Sequence, residues 1–187
     1  MDTKNISIII VFTALTVVLN LSPFKIPAPY APFLIYQIWE IPIVAVTLLY
    51  CFKTGIIISF VNTLVLLIVF PGALPTGPFY NLAAVLSMLF GIVSAVKLSS
   101  KSNRSSGLRE LTASTGLGLA LRVTAMTLIN GTLLPYPPPL GFGIPFEIVT
   151  AYLPLIALFN ATITLYTIPV GYALAKAVKK RGVLRSE

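Results

Sequence analysis

The stretch 30–42, YAPFLIYQIWEIP, decides how the rest of this chain is organised. It contains the only tryptophan of the protein, Trp39, beside Glu40, one of only 5 acidic residues. Its aromatic residues recur at every third position: Tyr30, Phe33, Tyr36 and Trp39. Aromatic side chains gather at membrane–water boundaries, because the ring is apolar while its N–H or O–H still seeks water. Pro42 suits the first turn of a helix, so the stretch predicts a structured cap that leads into a transmembrane helix.

The composition indicates a membrane protein. Of the 187 residues, 57% are hydrophobic and only 10% are charged, whereas a soluble domain carries roughly 25% charged residues. Several apolar segments reach or exceed the roughly 20 residues that cross a hydrocarbon core. We therefore expect a single domain over residues 1–187 that passes several times through the lipid bilayer of the cell membrane.

Six transmembrane helices are predicted, so the fold class is an all-α membrane bundle. Their approximate bounds are 5–21, 42–52, 55–70, 79–96, 111–134 and 146–177. The proline-rich segment 23–37 is too interrupted to be a helix. The second span is short unless residues from Phe33 onward also lie at membrane depth. Pro154 and Pro169 are expected to bend the last span.

The basic residues are distributed unevenly between the two sides of this bundle. Of the 13 lysines and arginines, eleven fall on one side, only Lys25 falls on the other, and Arg122 lies inside the fifth span. The eleven are Lys4, Lys53, Lys97, Lys101, Arg104, Arg109, Lys176, Lys179, Lys180, Arg181 and Arg185. Cytoplasmic loops carry the excess of Lys and Arg. Both termini are therefore predicted to face the cytoplasm, and the proline–aromatic loops to face outward.

Three of the predicted helices begin at the outer face, and a proline opens each of them: Pro42, Pro78 and Pro145. Their unbonded N–H groups and positive dipole ends would converge there, and would favour a carbonyl, carboxylate or phosphate group of a ligand. Glu40 and Glu147 lie at two of these N-termini. Each glutamate either complements its helix dipole or contacts a hydroxyl or amine of a substrate, and the sequence leaves both interpretations open.

Polar residues inside the spans are the other candidates for a site. An arginine at the bilayer centre costs roughly 3 kcal/mol or more, so Arg122 must face a partner or a cavity. It either forms a buried ion pair or inter-helix hydrogen bond, or it contacts a substrate. Asn81 and Asn130 are favoured as substrate contacts, because they lie near the outer ends of their spans, although asparagines also join helices. The candidate site residues are Tyr36, Trp39, Glu40, Phe79, Asn81, Arg122, Asn130 and Glu147.

Several kinds of chemistry are missing from the sequence. With no histidine and one cysteine, Cys51, the chain has neither an ordinary catalytic triad nor a histidine or multi-cysteine metal site. It also has no phosphate-binding loop. We therefore predict no catalytic residue, no metal and no cofactor, and a lipid-modifying enzyme is disfavoured. The basic residues lie in short loops that orient the protein, so no nucleic-acid partner is expected either.

Two segments carry a family resemblance. They are 33–64, FLIYQIWEIPIVAVTLLYCFKTGIIISFVNTL, and 77–96, GPFYNLAAVLSMLFGIVSAV. Together with the six spans, the inward termini and the proline-rich first outer loop, they resemble the substrate-binding S components of energy-coupling factor (ECF) vitamin transporters. Within that family, the two segments are most similar to the riboflavin-binding members.

The resemblance implies a function and a set of partners. An S component binds a vitamin, here riboflavin, at its outer face with spans four to six and the outer loops. It then associates with an integral membrane coupling protein and two ATPase subunits, which hydrolyse the ATP. Two alternatives stay open, an S component for another micronutrient and a non-transporting scaffold in which Arg122 and the asparagines only join helices.

Overall fold

Six helices and one short hairpin form the described part of the chain. The computed structural model describes residues 3–23, 25–69, 74–100 and 107–180. The helices are α1 (Thr3–Leu21), α2 (Glu40–Leu49), α3 (Phe52–Val69), α4 (Gly77–Ser100), α5 (Gly107–Leu133) and α6 (Phe146–Lys180). The prediction of six helices is confirmed, with bounds within a few residues of those expected. The last residue of the predicted third span, residue 70, lies outside the described residues, as do the predicted loop residues 71–73 and 101–106 and the tail 181–187.

The all-α prediction needs one correction. Strands β1 (Ile26–Ala28) and β2 (Ala31–Tyr36) pair antiparallel between α1 and α2. The prolines of this segment suggested an irregular loop. In a sheet of two strands, however, each strand has a free edge, and Pro27 can occupy such a position without loss of a ladder hydrogen bond. The segment is not a helix, as predicted, but it is an ordered hairpin.

Among the residues that the structure describes, the four helices α3 to α6 are long and apolar enough to cross a membrane. Helix α2 has 10 residues and is therefore about 15 Å long, roughly half of a hydrocarbon core. Its first residue, Glu40, contacts Arg122 midway along α5, so α2 begins deep in the bundle. The second span was predicted to be short unless residues from Phe33 onward also lie at membrane depth, and here the hairpin precedes a short α2. That the chain crosses the membrane six times remains a prediction.

Helix α2 forms the centre of the bundle. All residues from Pro42 to Thr47 are buried, and α2 packs against α1, α3, α4 and α6. A helix that is apolar on every side is buried on every side. Close packing against α6 requires Gly171, because a Cβ at this position would lie 2.7 Å from Cγ1 of Val44.

The loops divide between two ends of the bundle, as the sequence predicted. One end, which we call the cleft end, comprises the hairpin and residues 74–76 and 134–145. The opposite end, the basic end, comprises the α2–α3 turn, the facing ends of α4 and α5, and the end of α6. The described basic residues outside the helix centres lie at the basic end, apart from Lys25. The orientation of the two ends in the membrane remains a prediction.

Cysteine labelling tests this orientation. Cys51 is exposed in the α2–α3 turn, and its Sγ lies 3.3 Å from Oγ1 of Thr54. That hydrogen bond is the main cause that lowers the pKa of the thiol. We expect an impermeant maleimide to label Cys51 in inside-out vesicles but not in intact cells. Thr54→Val should slow the labelling at neutral pH, because a higher pKa leaves less thiolate.

A second probe at the opposite end serves as the control. Tyr136 is exposed at the cleft end, so Tyr136→Cys in a Cys51→Ser background should be labelled from outside intact cells. The reverse pattern at the two positions would place the cleft end in the cytoplasm and would contradict the predicted orientation.

Helices α4 and α5 cross at a pair of glycines. A Cβ added to Gly91 would lie 2.6 Å from Cα of Gly118, and a Cβ added to Gly118 would lie 2.6 Å from Cδ1 of Ile168. Small residues on α4 and α5 therefore allow the two helices to pack closely. The crossing fixes the distance between the two helices that carry Asn81 and Asn130.

Substitution of Gly91 tests the importance of this crossing. Gly91→Ala should lower the free energy of unfolding by about 1–3 kcal/mol, because backbone atoms of α5 must move away. Gly116→Ala is the matched control, since no atom lies within 4 Å of the position of its Cβ. The control should be neutral or more stable by about 0.5–1 kcal/mol. Equal melting temperatures of Gly91→Ala and wild type in detergent would contradict the close packing.

Candidate functional site

A cavity of about 550 Å³ opens at the cleft end. Its volume lies within the roughly 300–1,000 Å³ of small-molecule sites. Residues from α1, the hairpin, α3, α4, α5, α6 and the loops between them form its wall. They include Asn20, Lys25, Leu34, Gln37, Leu66, Leu74, Tyr80, Asn81, Asn130, Leu134, Phe142, Ile144, Val149 and Tyr152. The wall is mainly apolar, with a few amide and hydroxyl groups.

A smaller cavity of about 140 Å³ adjoins the first one towards the middle of the bundle. Five residues line both cavities: Leu34, Gln37, Tyr80, Asn81 and Asn130. The inner cavity is also lined by Trp39, Glu40, Arg122, Phe159 and Asn160. We call the two cavities together the cleft. It extends from the loops at the cleft end to polar groups at mid-depth.

An ion pair forms the floor of the cleft. Arg122 holds both carboxylate oxygens of Glu40, with Nη1 on Oε2 and Nη2 donating to Oε1 at 2.9 Å. Arg122 Nε donates to Oδ1 of Asn160 at 3.0 Å, and Sδ of Met88 lies 3.6 Å from Nη1. The two charged side chains are only 3% and 6% exposed. Each charge is therefore neutralised by a partner within the protein.

These contacts match the first of the two interpretations given for Arg122, while contact of Arg122 or Glu40 with a substrate stays a prediction. Arg122 forms a buried ion pair and an inter-helix hydrogen bond. Glu40, expected at the outer face, lies instead at mid-depth, where its carboxylate is paired. The pair joins α2 to α5 and, through Asn160, to α6.

The end of the hairpin is fixed to α6. The ring of Tyr36 packs against Phe159, with ring centroids 4.9 Å apart and an interplanar angle of 43°. The hydroxyl of Tyr36 shares a hydrogen bond of 2.5 Å with that of Tyr30. Tyr166 donates to the backbone carbonyl of Gln37 at 2.5 Å. The wall of the cleft next to the hairpin is therefore held by α6 at two points.

The α5–α6 loop closes the opposite side of the cleft. Tyr80 donates to the carbonyl of Leu140 at 2.7 Å, and Oγ1 of Thr76 donates to the carbonyl of Pro139 at 2.5 Å. A Cβ at Gly141 would collide with the carbonyl oxygen of Leu133. This tight turn and the two hydrogen bonds fix the loop against the start of α4.

Three carboxamides in the cleft have unused hydrogen-bonding capacity. Asn130 Nδ2 donates to the carbonyl of Met126 at 2.7 Å, and no described residue donates to its Oδ1. The side chain of Asn81 makes no hydrogen bond within the part of the chain that the structure describes. Oε1 of Gln37 is buried without a partner. These groups are available to a ligand.

The structure brings together five of the eight predicted site residues. Trp39, Glu40 and Arg122 line the inner cavity, and Asn81 and Asn130 line both cavities. The other three lie outside the walls of both cavities: Tyr36, Phe79 and Glu147. Phe79 is 52% exposed, and Glu147 is exposed in the first turn of α6. Within the described residues, no group of His, Cys, Asp and Glu could hold a metal ion.

The expected convergence of three helix N-termini holds only in part. Gly77 and Pro78, the first residues of α4, line the large cavity. Pro42 is the third residue of α2, not its first, and is buried. The N-terminus of α2 lies at the floor of the cleft and carries the paired carboxylate of Glu40. This helix end therefore offers no free positive charge to an anionic group of a ligand.

Two important residues were not predicted from the sequence. Gln37 and Tyr166 have little local signal, since Gln37 is a single amide in an apolar stretch and Tyr166 is one of several hydroxyl residues on α6. A pattern that could have identified Gln37 is its position in a proline-flanked loop directly before Trp39 and Glu40. Tyr166 is recognised only through its contact with Gln37, 129 positions away.

Among known proteins, this chain resembles a solved structure in its fold. No protein-family model matches the sequence, and no curated protein matches it. A solved structure described as the S component of a bacterial ECF transporter matches with a TM-score of 0.76, over 99% of this chain and 100% of that chain. The two sequences are 23% identical. At this level of identity the match shows that the two proteins share a fold.

Proposed function

We propose that this protein, which has the fold of an ECF transporter S component, is the substrate-binding subunit of an ECF-type importer. The cleft carries this proposal. It combines about 550 Å³ of mainly apolar space at one end of the bundle with carboxamides that have unused hydrogen-bonding capacity, among them the buried Oε1 of Gln37. A protein that served only as a scaffold would gain nothing from such a cavity, since empty space and unpaired amides both reduce stability.

The substrate that we propose is a vitamin with a flat ring, riboflavin. The apolar wall formed by Leu34, Ile144 and Val149 would contact the faces of the ring, and Tyr80 offers an aromatic surface. Burial of apolar area contributes roughly 25 cal/mol per Å². The loss of ligand freedom opposes binding, but little ordering is required where the wall is already formed. The contacts of Tyr36 and Tyr166 with their partners already fix the part of the cleft wall that the hairpin forms.

The proposed partners follow from the same function. The protein would take up riboflavin at the cleft end, facing outward in the cell membrane, and deliver it inward together with a membrane coupling protein and two ATPase subunits. The ATP would be hydrolysed by those subunits, so this chain itself would need no cofactor and would not be an enzyme. Co-purification of tagged protein with the coupling and ATPase subunits, co-expressed from the same cell, tests the association.

Tryptophan fluorescence tests the binding. Trp39 is the only tryptophan, is 5% exposed and lines the inner cavity. Because riboflavin absorbs where tryptophan emits, we expect saturable quenching at low riboflavin concentration. Titration of free tryptophan in the same detergent corrects for the inner-filter effect. Riboflavin retained through purification would also colour the protein yellow.

The outcomes separate the alternatives. Quenching by another vitamin, and not by riboflavin, would keep the role of the subunit and change its substrate. If no member of a vitamin panel binds, the scaffold hypothesis is favoured. That hypothesis has one observation in its support, since Arg122, Glu40 and Asn160 form a network complete within the protein, and Asn20 bonds Asn62 between α1 and α3 at 3.5 Å.

A further inference from the structure

Amide side chains line much of the junction between the two cavities. The five residues that line both cavities mark the junction between them, and three of the five are carboxamides: Gln37, Asn81 and Asn130. They come from the hairpin–α2 connection, α4 and α5. A ring compound that enters from the large cavity would meet these groups with its leading edge before it reached the ion pair.

The junction carries no free charge. In the inner cavity, the charged lining residues are Glu40 and Arg122, and they neutralise each other. The lysine of the large cavity, Lys25, is absent from the wall of the inner one. A charged group of a ligand at the junction would therefore lose its hydration without gaining a partner, which is strongly unfavourable. The junction favours an edge that is polar and uncharged.

Among the three carboxamides, Gln37 is the one with a buried acceptor that has no hydrogen-bond partner in the described part of the chain. Its backbone is fixed through the hydrogen bond from Tyr166, while its Oε1 is buried with no partner. An unpaired buried acceptor costs about 1–3 kcal/mol. The last torsion of a glutamine side chain has a broad range, so the amide can turn towards a ligand in the cleft without movement of the backbone.

A carboxamide presents an acceptor and a donor side by side. The complementary edge has an N–H next to a C=O, as in a lactam or imide ring. Asn130 adds an acceptor, Oδ1, and Asn81 adds a second free carboxamide at the same junction.

We propose that Gln37 determines specificity in the cleft by pairing with the N–H and C=O of a neutral lactam or imide ring edge, with Asn81 and Asn130 beside it. This inference rests on the proposed function of the cleft as a vitamin site. It assigns to Gln37 a role in selecting the ligand and limits the substrate to ring compounds whose leading edge is uncharged.

The test combines a variant with a modified ligand. Binding of riboflavin and of riboflavin methylated at its imide nitrogen is measured by Trp39 quenching in wild type and in Gln37→Leu. We expect wild type to bind the methylated compound about 10- to 100-fold more weakly, because methylation removes the N–H and leaves buried groups unpaired. Gln37→Leu should bind riboflavin about 10- to 100-fold more weakly, and should bind the two flavins equally.

A neighbouring residue provides the control. Ile38 is exposed and lines neither cavity, so Ile38→Ala should keep both the affinity and the preference for the unmethylated flavin. The melting temperature of Gln37→Leu should not fall below that of wild type, since the substitution removes an unsatisfied acceptor.

The failures of the two proposals differ. Suppose that wild type binds riboflavin, that Gln37→Leu binds it with the same affinity, and that wild type binds the methylated flavin equally well. The role assigned to Gln37 is then wrong, and the proposed function stands. Tight binding of a vitamin whose ring is cationic, such as thiamine, would also overturn this inference alone. If wild type binds neither flavin nor any other vitamin, both proposals are wrong.

Discussion

Arg122→Ala is expected to lower the free energy of unfolding by about 3–5 kcal/mol. The carboxylate of Glu40 is only 6% exposed and accepts from two guanidinium nitrogens of Arg122. Without Arg122 the carboxylate would stay buried and unpaired, and Asn160 Oδ1 would lose its donor as well. Thermal unfolding in detergent, followed by Trp39 fluorescence, measures the loss.

Two further variants distinguish the effect of the positive charge of Arg122 from that of its two-point contact with Glu40. Arg122→Lys keeps the charge but loses the two-point contact with Glu40, so its stability should lie between those of wild type and Arg122→Ala. Replacement of both partners by apolar residues, Arg122→Met with Glu40→Leu, should restore much of the stability, since no charge is then left buried. If Arg122→Ala is as stable as wild type but binds riboflavin more weakly, Arg122 serves the ligand rather than the bundle.

Asn81→Phe is expected to abolish ligand binding while the bundle stays folded. Asn81 lines both cavities and makes no hydrogen bond within the described part of the chain. A phenyl ring at this position would fill the junction, so the affinity should fall by at least about 100-fold, which corresponds to nearly 3 kcal/mol. Titration of Trp39 fluorescence with riboflavin measures this change, and the melting temperature should stay close to that of wild type.

Smaller substitutions at the same site calibrate the effect. Asn81→Ala removes the amide without filling the cleft, and should weaken binding by about 1–3 kcal/mol. Phe79 is close in sequence but lies outside both cavities, so Phe79→Ala should leave the affinity unchanged. If Asn81→Phe bound riboflavin as tightly as wild type, the ligand would occupy another place, and the cleft would no longer be the site.

The sequence alone determined the parts of this protein that depend on local composition. Long apolar segments must form hydrogen-bonded helices in a bilayer, so the six helices were located within a few residues of their bounds. The alternation of loops between two ends was predicted from the helix count, and Asn81 and Asn130 were placed correctly at one of those ends.

Only the tertiary structure decided which of these residues meet. Glu40 and Arg122 are 82 positions apart. The sequence around either residue does not indicate that the other is its partner. The short α2 and the hairpin before it place Glu40 at mid-depth, where an unpaired charge would be too costly to keep. Gln37 became a candidate because its amide is buried beside the cleft without a partner. Pairing and burial depend on the packing of distant helices, and the pattern along the chain does not contain that information.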